Sequence, residues 1–161
     1  MSGKEKVFKA VALLYWLSLL AILVYPLMVK YGLLMRLADL IYWIAGYTCH
    51  QIPSRSLHLL GVQLPVCSRC ASIHAAIALA FAHVWNKKTY AHPFRLNWVL
   101  LAVFVAPTAV DGFTQYFGWR ESSNFIRVVS GFPAGLAYAY FLTWLISHLD
   151  SVVRFLNSKI H

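Results

Sequence analysis

Acidic side chains are scarce in this chain: five Asp and Glu stand against fourteen Lys and Arg in 161 residues. Charged residues of either sign make up only 12%, about half of what a soluble globular domain carries. There is no internal repeat and no low-complexity tract, so repeat arrays and disordered linkers are excluded. No G-x-S-x-G, H-E-x-x-H or P-loop occurs, which removes the motifs that would favour a known reaction. Cysteine is sparse as well. Three of them leave one odd, so paired structural disulfides cannot use the full set.

Apolar residues fill the space left by charge. The chain is 60% hydrophobic with a mean hydropathy of +0.63, and its long uncharged runs indicate an integral membrane protein in contact with the lipid bilayer. A net charge of +9 raises the question of nucleic acid. The basic residues are scattered, however, and several sit at the ends of apolar runs, where they anchor to headgroups and set orientation. Nucleic acid is therefore not expected as a partner.

The expected architecture is all-α, a single membrane domain over residues 1–161 with about four transmembrane helices. The spans are read at Val7–Val29, Ala71–Asn86, Leu96–Phe117 and Val128–Leu149. A cleaved signal peptide competes for the first run, but Val24-Tyr25-Pro26-Leu27 lacks a small-x-small cleavage pattern, so a retained helix is expected. Leu33–Tyr47 is short for a span and carries Arg36 and Asp39, three apart and able to pair on one helical face. It is read as a short span, a re-entrant segment or an interfacial helix. Pro107 and Pro133 are expected to kink their helices, and Ser122 or Ser123 to cap the last one. His83, alone on an apolar helix, reads as a buried and satisfied histidine.

Charge bias favours four spans with the N-terminus in the cytoplasm of a multi-pass cell-membrane protein. Lys4, Lys6, Lys9, Lys87, Lys88, Arg95, Arg154 and Lys159 then lie inside, against Lys30, Arg36, Arg55, Arg69, Arg120 and Arg127 outside. A fifth span through residues 33–47 erases that bias. Either way, the 48–70 loop and the 118–127 polar turn are separated by two spans and share one membrane face, the extracytoplasmic one in the four-span reading. Asp111, near the same end of its helix, converges with them.

That face holds the chemistry. Cys67-Ser68-Arg69-Cys70 is a C-x-x-C at a helix start, suited to tetrahedral metal or to a reversible disulfide. Cys49 and His50, eighteen residues earlier, complete a Cys3His donor set for zinc or another transition metal. Because adjacent residues seldom share one metal, His58, His74 or Asp111 are alternative fourth ligands. The redox reading uses the same thiols: the helix N-terminus and Arg69 lower a thiol pKa, with Cys49 as resolving partner. Asp111 inside an apolar span is either a catalytic acid/base or ligand, or an ion-pair partner of the arginines. Gly112 beside it is a candidate for close backbone approach. Arg55, Arg69, Arg120 and Arg127 can grip an anionic headgroup or phosphate, supported by Gln115, Glu121 and Asn124. A third class is a non-catalytic subunit of a membrane complex, in which partner subunits dock and the metal only fixes a loop.

The pattern C-H-Q-x-P-x-R-S, then G-x-Q-x-P-V-C-x-R-C, then P-x-x-x-D-G-x-x-Q-x-x-G-x-R-E-S-x-N-x-x-R, then G-x-x-x-G resembles a family of small prokaryotic predicted membrane proteins classed as a domain of unknown function. Here it runs from Cys49 through Gln51, Arg55, Gln63, Cys67, Arg69, Cys70, Asp111, Gln115, Arg120, Asn124 and Arg127 to Gly131 and Gly135. The resemblance implies which residues matter and carries no activity with it. One departure stands out: Ser72-Ile73-His74 occupies the place of an expected Gly-Ile-Tyr, so a His74 ligand is peculiar to this chain.

Overall fold

The computed structural model describes the chain from Gly3 to Ile160, with side chains described as far as His148. Five α-helices follow in order: α1 (Gly3–Tyr31), α2 (Met35–Gly46), α3 (Ser68–Lys87), α4 (Trp98–Tyr116) and α5 (Asn124–Ile160). α1, α4 and α5 as far as His148 are each long and apolar enough to cross a bilayer. α3, with 20 residues, reaches about 30 Å, also the thickness of the hydrocarbon core. Its sequence is more polar, through Ser68, Arg69, Ser72, His74 and His83, and it packs against both α5 and α1. The protein is thus an all-α membrane protein in which the most polar long helix is flanked by two apolar ones.

Direction alternates along the chain, as the four-helix reading requires. α3 runs against α1: Ser18 bonds His74, whereas Phe8, ten residues earlier in α1, meets Phe81 and Trp85. α3 and α5 run parallel, Gly131 lying over Arg69 and Ser72 and Gly135 over Ile73 and Ala76. α4 returns against α5, with Thr108 donating to the Ser130 carbonyl and the Asn97 N–H donating to Tyr140 Oη.

α2 does not cross. Its 12 residues reach about 18 Å, well short of the bilayer. After a turn through Gly32 and Leu34, both with positive φ, it folds back along α1. Tyr25 stacks on Tyr42, and Ile22 shares a cavity with Ile41, Ile44 and Ala45. By its length α2 loses the spanning form and keeps the re-entrant and interfacial ones. It carries Cys49 to the level of Ile22, inside the helical end of the bundle.

Two expectations need correction. His83 is exposed on α3 and lines a crevice with Phe94 and Tyr140. Arg36 and Asp39 form no ion pair; among the described residues the acidic partners are Glu5 and Asp111. The last span, expected at Val128–Leu149, lies within α5, which continues to Ile160. The side chains of Asp150, Arg154 and Lys159 lie outside the described residues. Sequence reasoning also overlooked a small hairpin, His58–Leu59 paired antiparallel with Val62–Gln63. Leu60 and Gly61, at φ 56 and 82, make the two-residue turn with both centres left-handed that suits strand twist. Leucine is unusual there, and that is why the turn is hard to read.

Caps fix the ends that matter. Ser123 Oγ accepts from the Ile126 N–H at 3.3 Å and starts α5; Asn97 Oδ1 accepts from Leu100 and starts α4. Two apolar clusters hold the bundle. One, at the end away from the thiols, gathers Phe8, Ile77, Phe81, Tyr90, Ala139 and Ile146. The other packs Ile22, Leu64 and Val66 around Cys49 and Cys67.

Candidate functional site

The thiols come together from two segments. Cys49 follows α2 and is held by the Ala45 carbonyl, which accepts from its N–H. Cys67 occupies the extended position just before α3, and Cys70 lies in the first turn of that helix. The three sulfur atoms lie within 4.8 Å of one another, with Cys49 and Cys67 buried. All three are free thiols. The Cys67 N–H, one of the unsatisfied donors at the start of α3, points at Cys49 Sγ from 3.0 Å. Hydrogen bonds from the thiols of Cys67 and Cys70 outweigh burial and hold the Cys49 thiol far down, at about 2. The bond to Cys49, together with burial, pushes Cys67 up. The three thiols thus bond one another, with Cys49 accepting from its two neighbours.

This donor set fits zinc. Tetrahedral zinc with bonds of about 2.3 Å spaces its sulfurs about 3.8 Å apart, within the separation observed. The fourth donor expected from the sequence is not in the group. His50 is exposed, and its Nδ1 accepts from the Ile52 N–H at 3.1 Å. His58 is exposed on the hairpin. His74, one turn beyond Cys70, has its Nδ1 2.9 Å from Ser18 Oγ. Asp111 faces arginines. Among the described residues the cluster of candidate ligands is therefore the three cysteines.

Beside the thiols, Asp111 organises the arginines. It is 2% exposed and accepts from Arg69 Nη2 on one oxygen and Arg120 Nη2, at 2.7 Å, on the other. Gln115, one turn on, donates to the same Asp111 side chain at 2.9 Å and accepts from Arg127 Nη2 at 3.0 Å. Arg127, 5% exposed, also donates to Asn124 Oδ1. Asn124 in turn donates to the Ser56 carbonyl of the thiol loop. Arg55 and Arg69 both lie close enough to Arg127 to repel it. The Arg55 side chain has no hydrogen-bond or ion-pair partner among the described residues, and the buried Nε of Arg69 has none either. Two guanidinium groups thus hold one carboxylate, with Arg127 linked to it through Gln115 and Arg55 beside Arg127. Glu121 is exposed and joins none of these contacts. Gly112 is not a close-approach glycine: a Cβ there would meet only Arg69 Nη1, at 3.7 Å.

The loop itself is knit by residues that carry no chemistry of their own. Gln51, at φ 52, donates to the Tyr42 and Pro65 carbonyls. Gln63 donates to the Gln51 carbonyl and to Ser56 Oγ. Ser68 Oγ donates to the Arg55 carbonyl, and Thr114 Oγ1 accepts from Arg120 Nε. These supports were missed as site residues. Gln51 and Gln63 stand in the family pattern, whereas Ser68 and Thr114 signal only by polarity in an apolar setting, which demands partners wherever backbone is irregular at membrane depth.

Residues 49–141 match a family model described as a predicted membrane protein, DUF2085. A protein of Methanothermobacter thermautotrophicus, described as uncharacterized, is 40% identical over 104 residues, covering 64% of this chain and 90% of its own. The uncharacterized protein MJ1492 of Methanocaldococcus jannaschii is 33% identical over 103 residues, covering 63% of this chain and 65% of its own. No solved structure matches.

Proposed function

The chain belongs to the DUF2085 family of predicted membrane proteins, and on that premise we propose that it holds a transition metal, zinc by donor chemistry, on Cys49, Cys67 and Cys70 beside an arginine-lined anion site. The observation that carries this reading is the mutual approach of three thiol sulfurs to within 4.8 Å from segments eighteen residues apart. Sulfur donors select zinc over hard cations. When bound, the metal supplies a Lewis acid with one coordination position left for water or ligand.

The arginines complete the reading. Arg55, Arg69, Arg120 and Arg127 outnumber the single carboxylate among them, and buried like charges need a counter-ion. A small anion, free or as a lipid headgroup, satisfies the guanidinium groups that Asp111 leaves unmatched. Asp111 acts here as the resident counter-ion that aims Arg69 and Arg120. Both its oxygens are engaged by cationic donors, which leaves it poorly suited as a proton acceptor. Gln115 and Asn124 hold Arg127.

Purified protein should carry close to one equivalent of metal by elemental analysis, lost in a Cys67→Ser/Cys70→Ser variant. Metal-free protein whose thiols form a reversible disulfide overturns this reading in favour of thiol–disulfide exchange.

We further place the thiol loop and the 118–127 turn on the extracytoplasmic face, with the N-terminus inside, because the basic residues of the opposite end outnumber those here. Trp119 is 75% exposed on that turn. A Trp119→Cys variant should react with an impermeant maleimide in intact cells. Reaction only after the cells are opened sinks this orientation.

A further inference from the structure

A second cleft, independent of the thiols and arginines, lies between α1 and α2 and measures about 570 Å³. Its walls are aromatic. Tyr25 of α1 stacks against Tyr42 of α2, centroids 5.9 Å apart and planes at 25°, while Trp43 meets Tyr47 edge to face at 4.8 Å. Asp39 completes the lining, three residues before Tyr42 and four before Trp43, hence on the same helical face. It is the sole charged group lining the cleft. It has no ion-pair partner among the described residues, Arg36 included. The Lys30 ammonium lies over the Tyr31 ring.

Gln51 closes the floor. Both protons of its amide nitrogen go to the carbonyls of Tyr42 and Pro65, which leaves its oxygen as an acceptor beside Gly46. A Cβ on Gly46 would sit 3.1 Å from that oxygen, so the floor stays open only because residue 46 has no side chain.

We propose that this cleft binds a small organic ammonium ion, such as the choline or ethanolamine group. A single carboxylate supplies the monopole, and aromatic faces attract a cation through their quadrupoles, most effectively one that is weakly hydrated. A hard metal cation would need several oxygen ligands, and the cleft offers one carboxylate. A neutral lipid tail would need none. The shared chemistry is the ammonium, carried by a free amine or by a lipid headgroup.

The test uses the full chain purified in a maltoside detergent, which carries no ammonium. Choline, ethanolamine and the neutral isostere 3,3-dimethylbutan-1-ol are each titrated calorimetrically. The two amines should bind saturably and the alcohol should not. Asp39→Asn and Trp43→Leu should each weaken binding by roughly tenfold, while Trp43→Phe retains most of it. Asp39 is exposed, so its variant should fold, and unchanged circular dichroism checks this. In phosphatidylglycerol nanodiscs choline should still bind. Loss of that binding in phosphatidylcholine discs assigns the site to headgroups, and equal binding in both assigns it to a free amine. The proposal is overturned if the neutral alcohol binds as well as choline, or if Asp39→Asn binds choline like the unchanged protein.

Discussion

Asp111→Ala is expected to destabilise the protein by about 3–5 kcal/mol, the cost of removing one partner from a buried ion pair. The carboxylate is 2% exposed and neutralises Arg69 directly, while Gln115 relays its hold to the buried Arg127. Arg120 contributes less, because its side chain is 39% exposed and water screens what remains. Without Asp111, Arg55, Arg69 and Arg127 face one another with no negative charge between them. The loss should appear as a lower midpoint in detergent unfolding. Two further measurements separate an electrostatic cause from a packing one. Inorganic phosphate should raise the midpoint of Asp111→Ala more than that of the unchanged protein, since the vacated space accepts an anion. Arg69→Leu in the Asp111→Ala background should recover part of the loss, because it removes a charge left unpaired. If Asp111→Ala unfolds like the unchanged protein and phosphate shifts neither, the arginine cluster has no need of a counter-ion.

The same network separates what was legible in the sequence from what was not. Apolar runs interrupted by Pro93, Gly118 and the polar 118–127 turn mark the long helices, because hydrocarbon admits little else. Counting them puts the thiol loop and Arg120–Arg127 at one end, and the Asn124 bond to the Ser56 carbonyl realises that convergence. The direction of α2 was not legible. The apolar run 33–47 fits a surface helix, a short span or a turn back into the bundle, and tertiary contacts such as Tyr25 on Tyr42 show that it folds back along α1. The hairpin at Leu60-Gly61 was hidden because leucine disfavours positive φ. His83 reads as interior from its apolar neighbours, yet it is exposed at a crevice between α3 and α5. Among the thiols, proximity in sequence proved a poor guide: His50 adjoins Cys49 yet turns its ring to the Ile52 N–H.

Gly131 and Gly135 set how closely α3 can approach α5, and alanine at either should separate the helices. A Cβ on Gly135 would lie 2.6 Å from the Ile73 carbonyl oxygen and 2.7 Å from Ala76 Cβ. One on Gly131 would lie 2.3 Å from Ser72 Oγ and 2.8 Å from the Arg69 carbonyl oxygen. Ser72 Oγ can rotate, but backbone cannot. Alanine gains about 1 kcal/mol over glycine from helix propensity, while overpacking against a rigid neighbour costs about 1–3 kcal/mol. The balance is destabilising at both sites, and bulkier residues should prevent folding. The two differ in reach. Gly135 lies against Ile73 and Ala76, further along α3 from the thiols, so Gly135→Ala should lower the unfolding midpoint and leave bound metal intact. Gly131 presses on Arg69 itself, between Cys67 and Cys70, so Gly131→Ala should lower the midpoint and the metal content together. Gly112→Ala is the control: its Cβ would have 3.7 Å to Arg69 Nη1, and the propensity gain should leave stability equal or higher. Equal effects of Gly112→Ala and Gly131→Ala would show that the thiols and Asp111 are not held in register by the α3–α5 contact.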